Sequence, residues 1–98
     1  MKIDFGKELV DMEGNVIPNA KGEPAVLRGV TVDALLATFT DEERLGGEEK
    51  LKRFILAEKI HNGCDDITVE EVGLVKKLIG KAFSVIIVGQ AWQMLEGK

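Results

Sequence analysis

The second half of the chain carries three successive apolar runs at helical spacing, and residues that start or stop helices stand between them. In EEKLKRFILAEKI, Leu51, Phe54, Ile55 and Leu56 recur three and four residues apart, while Glu48, Lys52 and Lys59 fall on the other side. That pattern predicts an amphipathic helix. His61-Asn62-Gly63 reads as its C-cap, because Asn and Gly tolerate the left-handed conformation that closes a helix. Thr68-Val69-Glu70-Glu71 matches a capping box and opens a second helix carrying Val72, Val75, Leu78 and Ile79. Lys76, Lys77 and Lys81 come late in it, where positive charge suits the dipole, and Gly80 marks a break.

The stretch SVIIVGQAW is ambiguous on periodicity alone, since four branched apolar residues suit a buried strand as well as a buried helix. Its continuation favours the helix. Ser84 stands at a cap position, Val85, Val88, Trp92 and Leu95 fall along one stripe with Gln90 and Gln93 elsewhere, and Gly97 is placed to terminate it. Ile86, Ile87 and Ala91 lie off that stripe, so the belt is wide enough to require burial on most sides or a partner's cover.

The first third reads differently. Ile3 and Phe5 flank Asp4, then Leu9-Val10 and Val16-Ile17 bracket Asp11-Met12-Glu13-Gly14-Asn15, a cluster of turn formers. A second polar turn runs through residues 18–24, after which Ala25-Val26-Leu27 can return as a short third strand. Thr31 is placed to cap a two-turn helix with Val32, Leu35 and Leu36 on one side, and Thr40-Asp41-Glu42-Glu43 matches another capping box before Gly46-Gly47 interrupts. The expected fold is therefore α+β: one domain over residues 1–98. An N-terminal β-hairpin or short meander (residues 1–28) packs on three to four helices (residues 31–98).

Composition bounds the function. Seventeen acidic against thirteen basic residues give a net charge of −4, and no segment is a basic arm, so nucleic-acid binding by phosphate neutralisation is not expected. Cys64 stands alone, which excludes an intrachain disulfide. MKIDFGKELVDMEG has charges throughout and no apolar segment, and no run approaches the ~20 apolar residues of a membrane helix. The expectation is a soluble cytoplasmic protein without a membrane partner. A chain of 98 residues buries only roughly 60 to 70% of its unfolded surface, so self-association would stabilise it noticeably.

No constellation of catalytic groups stands out. His61 and Cys64 have the spacing H-x-x-C, yet a closed zinc site would need Asp65, Asp66 or another subunit to complete it. A helix-terminal histidine is the plainer reading. Asp11-x-Glu13-Gly14-Asn15 alternates oxygen side chains like a calcium loop, but Gly14 is fourth where an EF-hand needs its glycine sixth. The glycines form no phosphate-binding motif. Thr31, Thr40, Thr68 and Ser84 are explained as caps, and paired carboxylates such as Glu42-Glu43 and Glu48-Glu49 suit helix N-termini. Neither catalytic residue, metal nor cofactor is assigned. Gly89 would let a backbone approach closely, within the monomer or from a second copy, and Ile87, Gly89, Trp92, Met94 and Leu95 are the candidate interface, rich in the aromatic and flexible side chains that anchor contacts.

The order of these features, with D-x-x-G at Asp11 to Gly14, then ALLATFTDEE, EEKLKRFILAEKI and VGQAWQMLE, resembles small uncharacterised proteins encoded in tailed-bacteriophage and prophage genomes. The resemblance spans most of the chain and implies a genomic setting rather than an activity. Three readings follow: a non-enzymatic interaction module that self-associates as a homo-oligomer or docks on a host or phage protein; a phage head or tail assembly accessory or chaperone; and a minor metal-dependent module using His61 and Cys64.

Overall fold

The computed structural model describes residues 1–42 and 44–97. Four helices dominate it: α1 (Leu27–Leu36), α2 (Gly47–His61), α3 (Val69–Ala82) and α4 (Val85–Leu95), with one 3-10 turn at Thr40–Glu42 between α1 and α2. α1 packs against both α2 and α3, and α3 packs in turn against α4. The shared core includes Leu35, Ile60, Val75, Leu78, Ile79 and Leu95, all at most 3% exposed.

The α+β expectation is overturned. The described residues form no sheet, and the first third makes only isolated antiparallel bridges. The reason lies in an eight-residue repeat. LVDMEGNV (residues 9–16) and IPNAKGEP (17–24) fold alike: Asp11 Oδ1 accepts from the N–H groups of Glu13 and Asn15, and Asn19 Oδ1 from those of Lys21 and Glu23. Gly14 and Gly22 take the positive φ that each turn requires, 87° and 80°. The three segments joined by these turns then bond in a ring. Leu9 N–H donates to the Ala25 carbonyl at 2.9 Å, Ile17 N–H to that of Leu9 at 3.0 Å, and Ala25 N–H to that of Ile17 at 2.8 Å. In a meander the first and third segments lie apart. Here every pair meets, once each, through Val10 and Val16, Pro18 and Pro24, and Glu8 and Val26.

The two prolines sit where the ring needs no N–H. Val10 occupies the equivalent place in the first repeat and does have one. Gln90 of α4 supplies the partner: the Val10 N–H donates to Gln90 Oε1 at 2.8 Å, and Gln90 Nε2 donates to the Val10 carbonyl. A glutamine off the expected apolar stripe of α4 thus stands in for a neighbouring strand.

The ring also explains where α1 begins. Helix N-termini leave N–H groups unpaired, and here Leu27 and Arg28 donate to the carbonyls of Lys7 and Phe5 at 2.9 and 2.8 Å. No side-chain cap is then required, so the helix starts at Leu27, four residues before the expected cap Thr31. Thr31 is fully buried inside α1, and its hydroxyl has no partner among the described residues. Thr40 does not open α2, which begins at Gly47; the Glu43 half of that expected capping box lies outside the described residues.

The later helices follow the pattern more closely. Thr68 and Glu71 form the full capping box, with the Glu71 N–H donating to Thr68 Oγ1 at 3.1 Å and the Thr68 N–H to Glu71 Oε1 at 2.8 Å. Asn62 is the C-cap of α2, and Gly63 follows at φ 102°. α3 runs through Gly80 to Ala82, so the break falls at Phe83-Ser84 and the last two helices are separate. Ser84 occupies the N-cap position of α4 without a side-chain bond. The buried stripe of α4 is Ile87, Ala91 and Leu95, not the expected line of Val85, Val88, Trp92 and Leu95; Val85 is 90% exposed. Among the described residues no helix is long and apolar enough to cross a membrane.

Candidate functional site

α2 has more apolar residues than one face can bury. Its inner stripe of Arg53, Leu56, Ala57 and Ile60 packs into the core. On the opposite side Leu51, Phe54 and Ile55 are 56%, 52% and 51% exposed, and Leu36 at the end of α1 is 55% exposed. Spacing of three and four residues aligns Leu51, Phe54 and Ile55 in one ridge. A cleft of about 540 Å³ flanks it on one side, lined by Leu36, Phe39, Leu45, Lys50 and Phe54 among others. On the other side lies a groove of about 440 Å³ lined by the apolar Ile55, Leu56 and Leu74 and by the charged Glu49, Lys52, Lys59, Glu70 and Glu71.

A charged cluster holds this region in shape. Arg53, 5% exposed, donates from Nη1 and Nη2 to the two Glu42 carboxylate oxygens at 2.8 and 2.7 Å. This two-pronged pairing is the strong form of an ion pair. Lys81 of α3 lies 3.0 Å from Asp41 and 3.3 Å from Glu42, with its ammonium 4.9 Å from the Phe39 ring centre. The cluster ties the 3-10 turn to α2 and α3 and so sets the wall of the cleft. The Arg53 hydrogen bonds, helped by Lys81, hold the Glu42 carboxyl well below its ordinary 4.5, at about 2. The hydrogen bonds to Glu42 raise Arg53, and the Asp41 carboxylate, followed by Glu42, raises Lys81.

A depressed carboxylate pKa gives stability that is complete above the unfolded value and is lost as pH falls towards the folded one. Acid titration of the wild type followed by circular dichroism should therefore show a loss of stability between about pH 4.5 and 2. Glu42→Gln should flatten that limb, and an unchanged limb would show that the pair contributes nothing to acid sensitivity.

The residues singled out from sequence do not share one surface. Ile87 and Leu95 are in the core and Met94 packs against it half-buried. Gly89 is exposed, and a Cβ there would meet nothing within 4 Å. Trp92, 37% exposed, is held within the chain: its indole Nε1 donates to the Lys76 carbonyl at 3.0 Å, the Lys76 ammonium sits 4.6 Å from the ring centre, and the ring edge lies over Gly80. His61 is exposed at the end of α2, and Cys64 donates from Sγ to the Asp66 carbonyl at 3.4 Å. Among the described residues no three His, Cys, Asp or Glu side chains converge to hold a metal.

The chain matches no family model, no curated protein and no solved structure. Functional inference therefore rests on the surface itself. Sequence reasoning read Leu51, Phe54 and Ile55 as part of a buried stripe. The signal against this was available: Leu56, Ala57 and Ile60 already fill one face, so the other three had to point away from it.

Proposed function

We propose that the protein is a non-enzymatic interaction module of the bacterial cytoplasm, and that the outer face of α2 is its docking surface. One observation carries this reading: Leu51, Phe54 and Ile55 along one face of α2, and Leu36 lining the cleft beside Phe54, are each more than half exposed. Soluble monomers seldom display contiguous apolar patches beyond a few hundred Å² without using them. The cleft beside Phe54 adds the concavity that an anchoring side chain needs. The phage or prophage setting comes from the sequence resemblance and is tested by the partner's identity.

The test is affinity capture from infected and uninfected cells with three baits: wild type, Phe54→Asp and Met12→Asp, the last at a 94% exposed position away from the patch. A stoichiometric protein retained by wild type and Met12→Asp but lost with Phe54→Asp is the expected result. A partner that Phe54→Asp still holds would rule the surface out.

A further inference from the structure

We infer that the α2 ridge pairs with the same ridge of a second copy, the two helices running antiparallel across a two-fold axis; this rests on the interaction reading above and names its partner. The charge order of α2 selects that occupant. Glu48 and Glu49 occupy the first turn and Lys59 and His61 the last. At 3.6 residues per turn, Glu48, Lys52 and Lys59 lie along one flank of the ridge. An axis crossing near Phe54 sets each Glu48 opposite Lys59 of the second copy, because an antiparallel two-fold keeps like flank against like flank.

Glu58 lies in line with the ridge near its C-terminal end. Antiparallel pairing brings it to the first turn of the second copy's α2, where the dipole favours a carboxylate but Glu48 and Glu49 oppose one, so the Glu48–Lys59 pairs decide the direction. Parallel pairing would instead set like dipole ends together and turn the Glu48–Lys59 flank towards the opposite flank of the second copy. The charged residues of α2 on and beside the ridge are balanced in sign, Glu48, Glu49 and Glu58 against Lys50, Lys52 and Lys59, of which Lys59 also lies 3.6 Å from Glu71 of its own chain. That balance suits a self-complementary contact and does not suit nucleic acid or an anionic membrane, which require a basic rim.

Shape and area agree. The ridge has a groove on either side, so one copy's ridge can seat beside the other's. Four half-exposed apolar side chains amount to on the order of 400 Å² per copy, which with the charged flanks reaches the lower range of specific interfaces. A reversible dimer of modest affinity is the consequence.

Sedimentation equilibrium from about 1 µM to 1 mM covers the affinity range of such a contact. The expected mass rises from 10.7 kDa to twice that value with concentration. Phe54→Asp should abolish the rise while leaving the melting of the dilute protein unchanged. Glu48→Lys and Lys59→Glu should each weaken association about tenfold, since every exchange is repeated by symmetry, and the double variant should restore it. A wild type that stays at 10.7 kDa throughout, a dimer indifferent to Phe54→Asp, or a double variant as weak as the singles would overturn the pairing. None of these results bears on capture of a different protein through Phe54, so failure of the dimer and failure of the interaction module are read separately.

Discussion

Arg53→Ala is expected to lower stability by about 3 kcal/mol, because removing one partner of a buried pair strands the other charge. The Glu42 side chain is only 12% exposed, and its carboxylate accepts both of its shortest hydrogen bonds from Arg53. Lys81 at 3.3 Å offers partial compensation, which places the loss at the lower end of the range for buried pairs. For a domain of this size the melting temperature should fall by roughly 15 °C. Arg53→Met with Glu42→Leu removes both charges, keeps the volume, and should recover much of the loss. If Arg53→Ala melts with the wild type, the cluster does not hold the turn to α2.

Leu78→Ala should be at least as damaging, with a loss of about 3–4 kcal/mol. Leu78 is fully buried on α3, the helix that packs against both α1 and α4. Shortening it leaves a cavity in the shared core, and the cost grows with the volume that does not collapse. Leu78→Met keeps the volume and should cost less than about 1.5 kcal/mol. Chemical denaturation of the three proteins measures this, and equal midpoints would show that the helices are not packed around α3 as described.

How much of this was legible in the sequence depended on the range of the interactions involved. The capping box at Thr68 and Glu71 is closed by four consecutive residues, and it formed as its spacing predicts. Asn62-Gly63 is equally local. α1 failed at its start because the groups that satisfy Leu27 and Arg28 belong to Lys7 and Phe5, some twenty residues earlier in the chain. The β expectation failed for a related reason: Asp11-x-x-Gly14 and Asn19-x-x-Gly22 were each read correctly as turns, but their eight-residue spacing closes a ring in place of a ladder. Two of the candidate interface residues, Ile87 and Leu95, are buried, because periodicity identifies apolar faces without saying which one is covered. α4 reads as buried on most sides or covered by a partner, and Ile87, Ala91 and Leu95 turn inward, while α2 carries a second apolar stripe, Leu51, Phe54 and Ile55, that is more than half exposed.

The closed ring in the first third also removes a hazard. A hairpin or meander would present a free edge, a row of unpaired amides on which another chain can add a strand and so template aggregation. Leu9, Ile17 and Ala25 each donate once and accept once within the ring, prolines occupy two of the flanking positions, and Gln90 occupies both backbone groups of Val10. The ring therefore offers a second chain fewer free backbone groups than the edge of a hairpin would, which slows growth by strand addition at high concentration and leaves association to side chains that can let go again.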